Sequence, residues 1–382
     1  MHLRAVITAL VLAACTFSLA ACGRSGFDAT CPGCDDGVAC TRDSCRAGVC
    51  EHVPDSSLCP AGSLCVFDGV GAGCVELSNI PASVAEAYFG VALEALDLSG
   101  ASSPVTIDGD SGEIRDAAGS VFRAAGTGEQ DGVGFDVATQ AGSSSSAAVF
   151  SFGRLRVPEG IEVVGIGANP LVLFARDWIE IDGQVDVGAR RELDAPIYAG
   201  DYLAGPGGHA GGGPGQTGEG EGGGGADGGT SCGTASTSGG GGGGHGGVGG
   251  RGGDGANAPE GCPTEYIGGD GGAANGNADL QPLCGGSGGG GGGIAEGGPS
   301  VPGSGGAGGG ALQLSSLAGV LLGPAGVVTA PGGGGGGGAE DAGGGGGGGA
   351  GGAILIDAAV VVLGSGSVLA ANGGGGGSGD CS

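Results

Sequence analysis

The sequence predicts an all-β protein: coils of a parallel β-helix, or solenoid, with a bundle of glycine-rich loops, preceded by a small disulfide-rich module. Three observations predict it. Short runs of alternating apolar residues recur in groups of three, eight cysteines crowd between Cys31 and Cys74, and glycine supplies 104 of 382 residues, concentrated after Gly205. Composition shifts divide the chain into a leader at 1–21, a tether at 22–30, a cysteine-rich module at 31–77, a strand-rich region at 78–204, and a glycine-rich region at 205–382 that holds two further coils.

The leader has the parts of a secretory signal: Arg4 for charge, then the apolar stretch Ala5 to Leu19, too short for a confident membrane span. Leu19-Ala20-Ala21-Cys22 follows and resembles the lipobox of bacterial lipoproteins, where the chain is cut before the cysteine and that cysteine is acylated. Leu12-Ala13-Ala14-Cys15 competes with it. Cysteine arithmetic favours the later site: of 14 cysteines, cutting before Cys22 and acylating it leaves an even number to pair, whereas cutting before Cys15 leaves an odd one. The expected lipidation site is Cys22, and the expected location is extracytoplasmic, at a bacterial outer membrane or cell surface.

Export places the remaining cysteines in an oxidising compartment, so disulfides are expected at Cys31, Cys34, Cys40, Cys45, Cys50, Cys59, Cys65 and Cys74 in the module, and at Cys232, Cys262, Cys284 and Cys381 in the glycine-rich region. The module has few large apolar residues, so bridges must hold it, each contributing about 2–4 kcal/mol. Cys31-Pro-Gly-Cys34 has CxxC spacing, but no second CxxC follows to complete a zinc site, and a structural disulfide is the expected role.

Two tandem units fill Val149 to Val187: VFSFGRLRVPEGIEVVGIG, then LVLFARDWIEIDGQVDVG. Leu155 and Val157 are expected to align with Ile179 and Ile181, and Ile161 and Val163 with Val185 and Val187, both steps being 24 residues. The unit returns at Ala311 and at Ala353: Leu312 and Leu314 match Ile354 and Ile356, Leu321-Leu322-Gly323 matches Val362-Leu363-Gly364, and Val327-Val328 matches Val368-Leu369. Three short strands per repeat, each pointing alternate side chains inward, are the pattern of β-helix coils, which bury a continuous apolar column only when stacked. An antiparallel sandwich of the same strands is the competing arrangement. Upstream, strands joined by a turn at Asp110-Ser111-Gly112 are expected to cap an otherwise unpaired sheet edge; Ser83 to Leu96 reads equally as strand or short helix.

Glycine runs follow the coils, among them Gly239–Gly244, Gly288–Gly293, Gly332–Gly338, Gly343–Gly349 and Gly373–Gly377. They lack the Gly-X-Y period of collagen. The string GGRGGDGAN from Gly249 begins like a calcium-binding nonapeptide, but Ala256 takes the large-apolar position and no array follows. Two readings remain: flexible loops, favoured by glycine's entropy, or polyglycine-II helices packed side by side, each with three residues per turn and hydrogen-bonding groups pointing outward. The recurring lengths and the pinning of each run between coils favour order. Such bundles are similar, in composition only, to the tip adhesins of some phage tail fibres and to certain small antifreeze proteins.

Charge and chemistry narrow the function. The net charge is −28, and all 12 basic residues are Arg. Nucleic acid is therefore excluded as a natural partner, as are phosphate-loop and Schiff-base chemistry, which need Lys. Because β-helices include polysaccharide-cleaving enzymes, the cluster Arg176, Asp177, Glu180, Asp182, Asp186, Arg190 and Arg191 is the candidate carbohydrate site; the alternation of Glu180, Asp182 and Asp186 with Ile179, Ile181 and Val187 makes them the solvated face of two strands. The four histidines, His2, His52, His209 and His245, show no metal-binding spacing. Trp178, the only Trp, is a sugar-stacking candidate that also suits a packing role at the seam between coils. No catalytic residue, metal or cofactor is expected.

The stretch CDDGVACTRDSCRAGVCEH resembles small cysteine-rich modules of myxobacterial surface proteins. With the lipobox, the repeats and the glycine runs, the chain resembles the glycine-rich surface lipoproteins of that group. The resemblance implies surface display and nothing about a substrate. The function expected of the chain is that of a lipid-anchored, non-catalytic structural or adhesive protein, held in the membrane by its acyl chains, with a surface glycan or protein as the candidate ligand. The alternative is a carbohydrate-binding or carbohydrate-cleaving β-helix acting near Asp182.

Overall fold

The computed structural model describes residues 33–46, 48–60, 63–67, 72–81, 84, 87–88, 93–140, 143–191, 202–226, 238–255, 267–294, 301–338 and 343–379. The leader, Cys22, the tether, Cys31, Cys232, Cys262 and Cys381 lie outside them. The described residues are essentially all-β. Val84, Ala87 and Tyr88 are helical, and Ser56–Leu58 form a 3-10 turn.

Two antiparallel hairpins make the cysteine-rich module: Thr41–Arg46 with Val49–Pro54, and Ser63–Phe67 with Ala72–Glu76. Gly48, at φ +82, makes the tight turn of the first. Disulfides join Cys34 to Cys50, Cys40 to Cys65 and Cys59 to Cys74, and Cys45 is disulfide-bonded too. The Cys40–Cys65 bridge ties one hairpin to the other.

Beyond the module the chain repeats one path four times. It makes a strand in a first sheet, then one in a second, then one in a third, and returns to the first sheet beside its own earlier strand. The repeats begin at Ser146–Phe152, Leu171–Ala175, Ala311–Ser316 and Ala353–Ala358 in the first sheet. Second-sheet strands are Arg154–Val157, Trp178–Ile181, Gly319–Leu322 and Val361–Leu363; third-sheet strands are Glu162–Ile166, Gln184–Asp186, Val327–Thr329 and Val368–Ala370. Every pairing between repeats is parallel, so the described strands do not form the antiparallel sandwich. Strands on both sides of residue 205 belong to the same three sheets, so the compositional boundary there does not divide the sheets.

Register stacks like on like. Phe150, Leu173, Leu314 and Ile356 form one column, Leu155, Ile179, Val320 and Val361 a second, and Val163, Val185, Val328 and Leu369 a third. One register differs from expectation. Val163, rather than Ile161, pairs with Val185, a step of 22 residues. The turn after Val157 holds two more residues than its counterpart after Ile181, and period-2 alternation fits either register. The first three members of each column share one core, in which residues such as Phe150, Leu155, Ile179 and Leu312 are at most 1% exposed, whereas Val361 and Leu369 of the fourth repeat are exposed; each large side chain buried there contributes about 1.5–3 kcal/mol.

One edge of the stack is closed by antiparallel strands. Ala95–Asp97 and Val105–Asp108 pair in parallel with the first repeat, Ile114–Asp116 turns back on Val105–Asp108 through Asp110-Ser111-Gly112, and Val133–Thr139 pairs antiparallel with Ser146–Phe152. Arg123 organises this closure. Fully buried over the Phe135 ring, it donates to the carbonyls of Val133, Gly112, Ala124, Gly126 and Gly128, so its charge is buried but fully hydrogen-bonded.

A second apolar cluster covers the outer face of the first sheet. Leu77, Ile80, Val84 and Tyr88 lie against Val149, Val172, Phe174, Ala311 and Ala353. The segment leaving the module thus runs along the stack. Ser78 N–H donates to Asp357 in the fourth repeat, Asn79 Nδ2 donates to Gln313 in the third, and the Tyr88 hydroxyl reaches Asp136 and the Phe135 carbonyl at the closed edge. Burial first, and Asp136 second, push the Tyr88 pKa well above the ordinary phenol range.

Candidate functional site

The glycine segments all leave the stack at one corner, after the third-sheet strands Gln184–Asp186, Val327–Thr329 and Val368–Ala370. Two of them return to start the next first-sheet strand, at Ala311 and at Ala353. Segments with common exits and entries must lie side by side, and they hydrogen-bond to one another.

The run Gly285–Gly293 sits at the centre and is buried throughout. Its successive amides point in different directions: Gly290 N–H donates to Gly241 O at 2.8 Å, Gly291 to Gln216 O at 2.8 Å, and Gly292 to Gly303 O at 2.8 Å. Donors toward one neighbour recur every third residue, as Gly286, Gly289 and Gly292 donate to Gly309, Gly306 and Gly303. Its carbonyls accept in the same way, Gly288 O from Gly224, Gly289 O from Gly212 and Gly290 O from Gly347. The run therefore has bonded neighbours on every side. A Cβ at Gly290 or Gly347 would collide with the backbone of an adjacent run, whereas at Gly375, on the outside, it would meet nothing within 4 Å.

The acidic cluster read from the sequence is not one constellation. Glu180 pairs with Arg154 and stands 3.9 Å from Arg156. Asp186 accepts from Thr329 Oγ1 at 2.9 Å and from Gly188 N–H at 2.9 Å. Arg176 and Asp177 are exposed at the corner before Trp178. Arg190 and Arg191 form a short antiparallel pair with Leu203 and Tyr202, and burial pushes the Arg190 pKa down. Asp182 alone faces a groove of about 330 Å³, shared with Glu159, Glu162 and Gln184. Trp178 is half-buried, and its ring lies against Gly319 of the following repeat, the packing role. Asp254, the acidic residue of the nonapeptide-like string, is held by Arg251 and by Gly268 N–H.

His209, His245 and Cys284 come together where the sequence gave no sign of it. They line one cavity of about 720 Å³ with Glu221, Asn275 and the Ser143–Ser145 turn. Cys284, expected in a disulfide, is a free thiol; burial raises its pKa, and Glu221 adds to the rise. Cys232, Cys262 and Cys381, the other cysteines expected to pair in this region, lie outside the described residues. His245 is 6% exposed; burial pushes its pKa down, and the side chain of Asn275 beside it pulls partly the other way. Asn275 Nδ2 donates to Ser287 Oγ at 3.4 Å, and its backbone N–H donates to the His245 carbonyl at 3.0 Å. His52 lies elsewhere, in the module, between Asp43 at 2.8 Å and Asp36 at 3.4 Å.

No family model, curated protein or solved structure matches the chain.

Proposed function

We propose that this chain is a non-catalytic structural or adhesive protein of the bacterial cell surface, anchored through acylated Cys22, in which four coils of a parallel β-helix carry a bundle of polyglycine-II helices as the exposed face. The proposal includes membership of the myxobacterial type of glycine-rich surface lipoprotein. The observation that carries it is the three-way hydrogen bonding of Gly285–Gly293, repeating every third residue as a three-residue-per-turn helix requires. Ordering so much glycine costs about 1–2 kcal/mol of backbone entropy per residue, a cost that selection keeps where a rigid, flat surface is useful. The disulfides of the module fit an oxidising compartment, and stable anchoring is expected from the multiple acylation usual at a lipobox cysteine.

A second reading, a carbohydrate-binding or carbohydrate-cleaving β-helix, is favoured by the groove beside Asp182, Glu159 and Glu162. A glycan array and a cell-adhesion assay with the intact protein, Asp182→Ala and Gly347→Val separate the two. The adhesive bundle predicts binding that survives Asp182→Ala and falls when Gly347→Val disrupts the glycine packing. Binding lost with Asp182→Ala alone moves the function to the groove, and an intact protein that binds no surface removes both.

A further inference from the structure

The fourth repeat stands at the end of all three sheets, so Ala353–Ala358, Val361–Leu363 and Val368–Ala370 each have a bonded strand on one side only among the described residues. Their inward side chains continue the apolar columns without cover. Val361, Leu363 and Leu369 are 45%, 54% and 42% exposed, while their column mates one repeat earlier, Val320, Leu322 and Val328, are fully buried. The exposure comes from the missing strand above them, since the register keeps them pointing inward.

The outward-facing columns give a second, independent observation. In the first two repeats they are polar: Arg156 beside Glu180 in the second sheet, Glu162 beside Gln184 in the third. In the last two repeats the same columns read Leu321 and Val362, and Val327 and Val368. A face left in water gains nothing from that change, whereas a face covered near its open end does. Charge agrees with it. In a chain of net charge −28, Asp357 is the only charged residue from 353 to 379, and it is held by the Ser78 N–H. The edge also lacks proline, so the usual protections against strand pairing are missing where they are most needed.

The shape of the edge selects its occupant. Three strands on the sides of one coil are paired all at once only by a coil of the same cross-section. The opposite end of a second copy does not offer one, because antiparallel strands close it and its short strands carry Asp97 and Glu129. The fourth repeat of a second copy does. A two-fold axis perpendicular to the stack sets each edge strand antiparallel to one in the other copy, and the neutral edge lets two acidic chains meet. Such a contact is closed and stops at two chains.

We propose that the chain forms a two-fold dimer through the open edge of its fourth repeat. The free backbone groups of the three edge strands pair across the axis, and Val361, Leu363 and Leu369 of each copy complete one continuous core. The dimer goes beyond the adhesive reading and does not rest on it.

The test is sedimentation equilibrium on the full chain with its module disulfides intact and Cys22→Ser, so that acyl chains and detergent do not set its mass. A monomer–dimer equilibrium is expected. Leu363→Glu and Leu369→Glu, at positions exposed in the single chain, should each raise the dimer dissociation constant about tenfold or more by placing carboxylates in an apolar contact. Val137→Glu, 43% exposed but on a strand of the closed edge, should leave it unchanged. Without any edge variant, amide exchange in Val361–Leu363 and Val368–Ala370 should slow as protein concentration rises. The proposal is overturned by a chain that stays monomeric at every concentration, by association that grows past two, by a dimer that survives both Glu variants, or by equal loss in Val137→Glu. It is also overturned by edge amides already protected in the monomer, which would put another segment of the same chain over the edge.

Discussion

The stacked repeats and the glycine bundle meet at one corner and are built on opposite principles. In the repeats, side chains fill the interior and the backbone bonds along each sheet; Phe150, Leu173 and Leu314 stack in one apolar column. In the bundle no side chain fills the interior of Gly285–Gly293 apart from that of Ser287, and cohesion comes from amides and carbonyls directed outward on all sides. The difference teaches what each part tolerates. An apolar core accepts exchange of one hydrophobe for another of similar volume, whereas glycines such as Gly290 and Gly347 have neighbouring backbone where a Cβ would stand.

The largest effect that sharpens this contrast is expected in the core. Phe150→Ala should cost about 3–5 kcal/mol, read as a lower unfolding midpoint in denaturant, while Phe150→Leu should cost far less. A Phe150→Ala protein with an unchanged midpoint would mean that the columns do not hold the stack.

Next in size is the bundle. Gly347→Val should cost about 1–3 kcal/mol by overpacking, because its Cβ meets the backbone of Gly240 and Gly241. It should be visible as faster amide exchange in the glycine runs with the strand amides still protected. Gly375→Val, at a position with nothing within 4 Å, is the control and should change neither. Equal effects from both variants would break the comparison, since flexible loops do not distinguish inner from outer glycines.

The smallest effect belongs to the module, which owes its hold to bridges rather than to either device. The hydrogen bond from Asp43 raises the His52 pKa above the ordinary 6.5, and the bond with His52 lowers that of Asp43 below 3.8. A raised histidine pKa gives stability that is present below the unfolded value and lost as pH rises through the folded one; a lowered carboxylate pKa gives stability lost as pH falls. The pair should therefore tighten the module in the mildly acidic range between those two values and loosen it on either side. In an NMR titration, the His52 ring protons should show a midpoint above 6.5 that falls in Asp43→Asn, with Asp36 still holding it up in part.

Much of the strand order was legible because alternation is a local property. Leu155 and Val157 against Ile179 and Ile181, or Leu312 and Leu314 against Ile354 and Ile356, could be aligned from the text alone. The third strand of the first repeat could not, because Ile161 and Val163 are both apolar at period two and only the length of the turn chooses between them. The solvated face was legible in the same way, but the sequence cluster dispersed once Glu180 found Arg154 and Asp186 found Thr329 across neighbouring repeats. The cavity was not legible at all. His209, His245 and Cys284 form no short motif, and glycine text carries no periodicity from which to judge which residues will meet.

By itself, then, the sequence determined the all-β class, the repeating strands, the disulfide-held module and the positions of the glycine runs, since each follows from side-chain alternation, cysteine density or glycine content within a short window. Only the tertiary structure decided that the repeats pair in parallel, that every glycine segment leaves by the same corner, and that Cys284 lines one cavity with two histidines. Those are relations between segments far apart in the chain, fixed by which backbones lie side by side after the repeats have stacked.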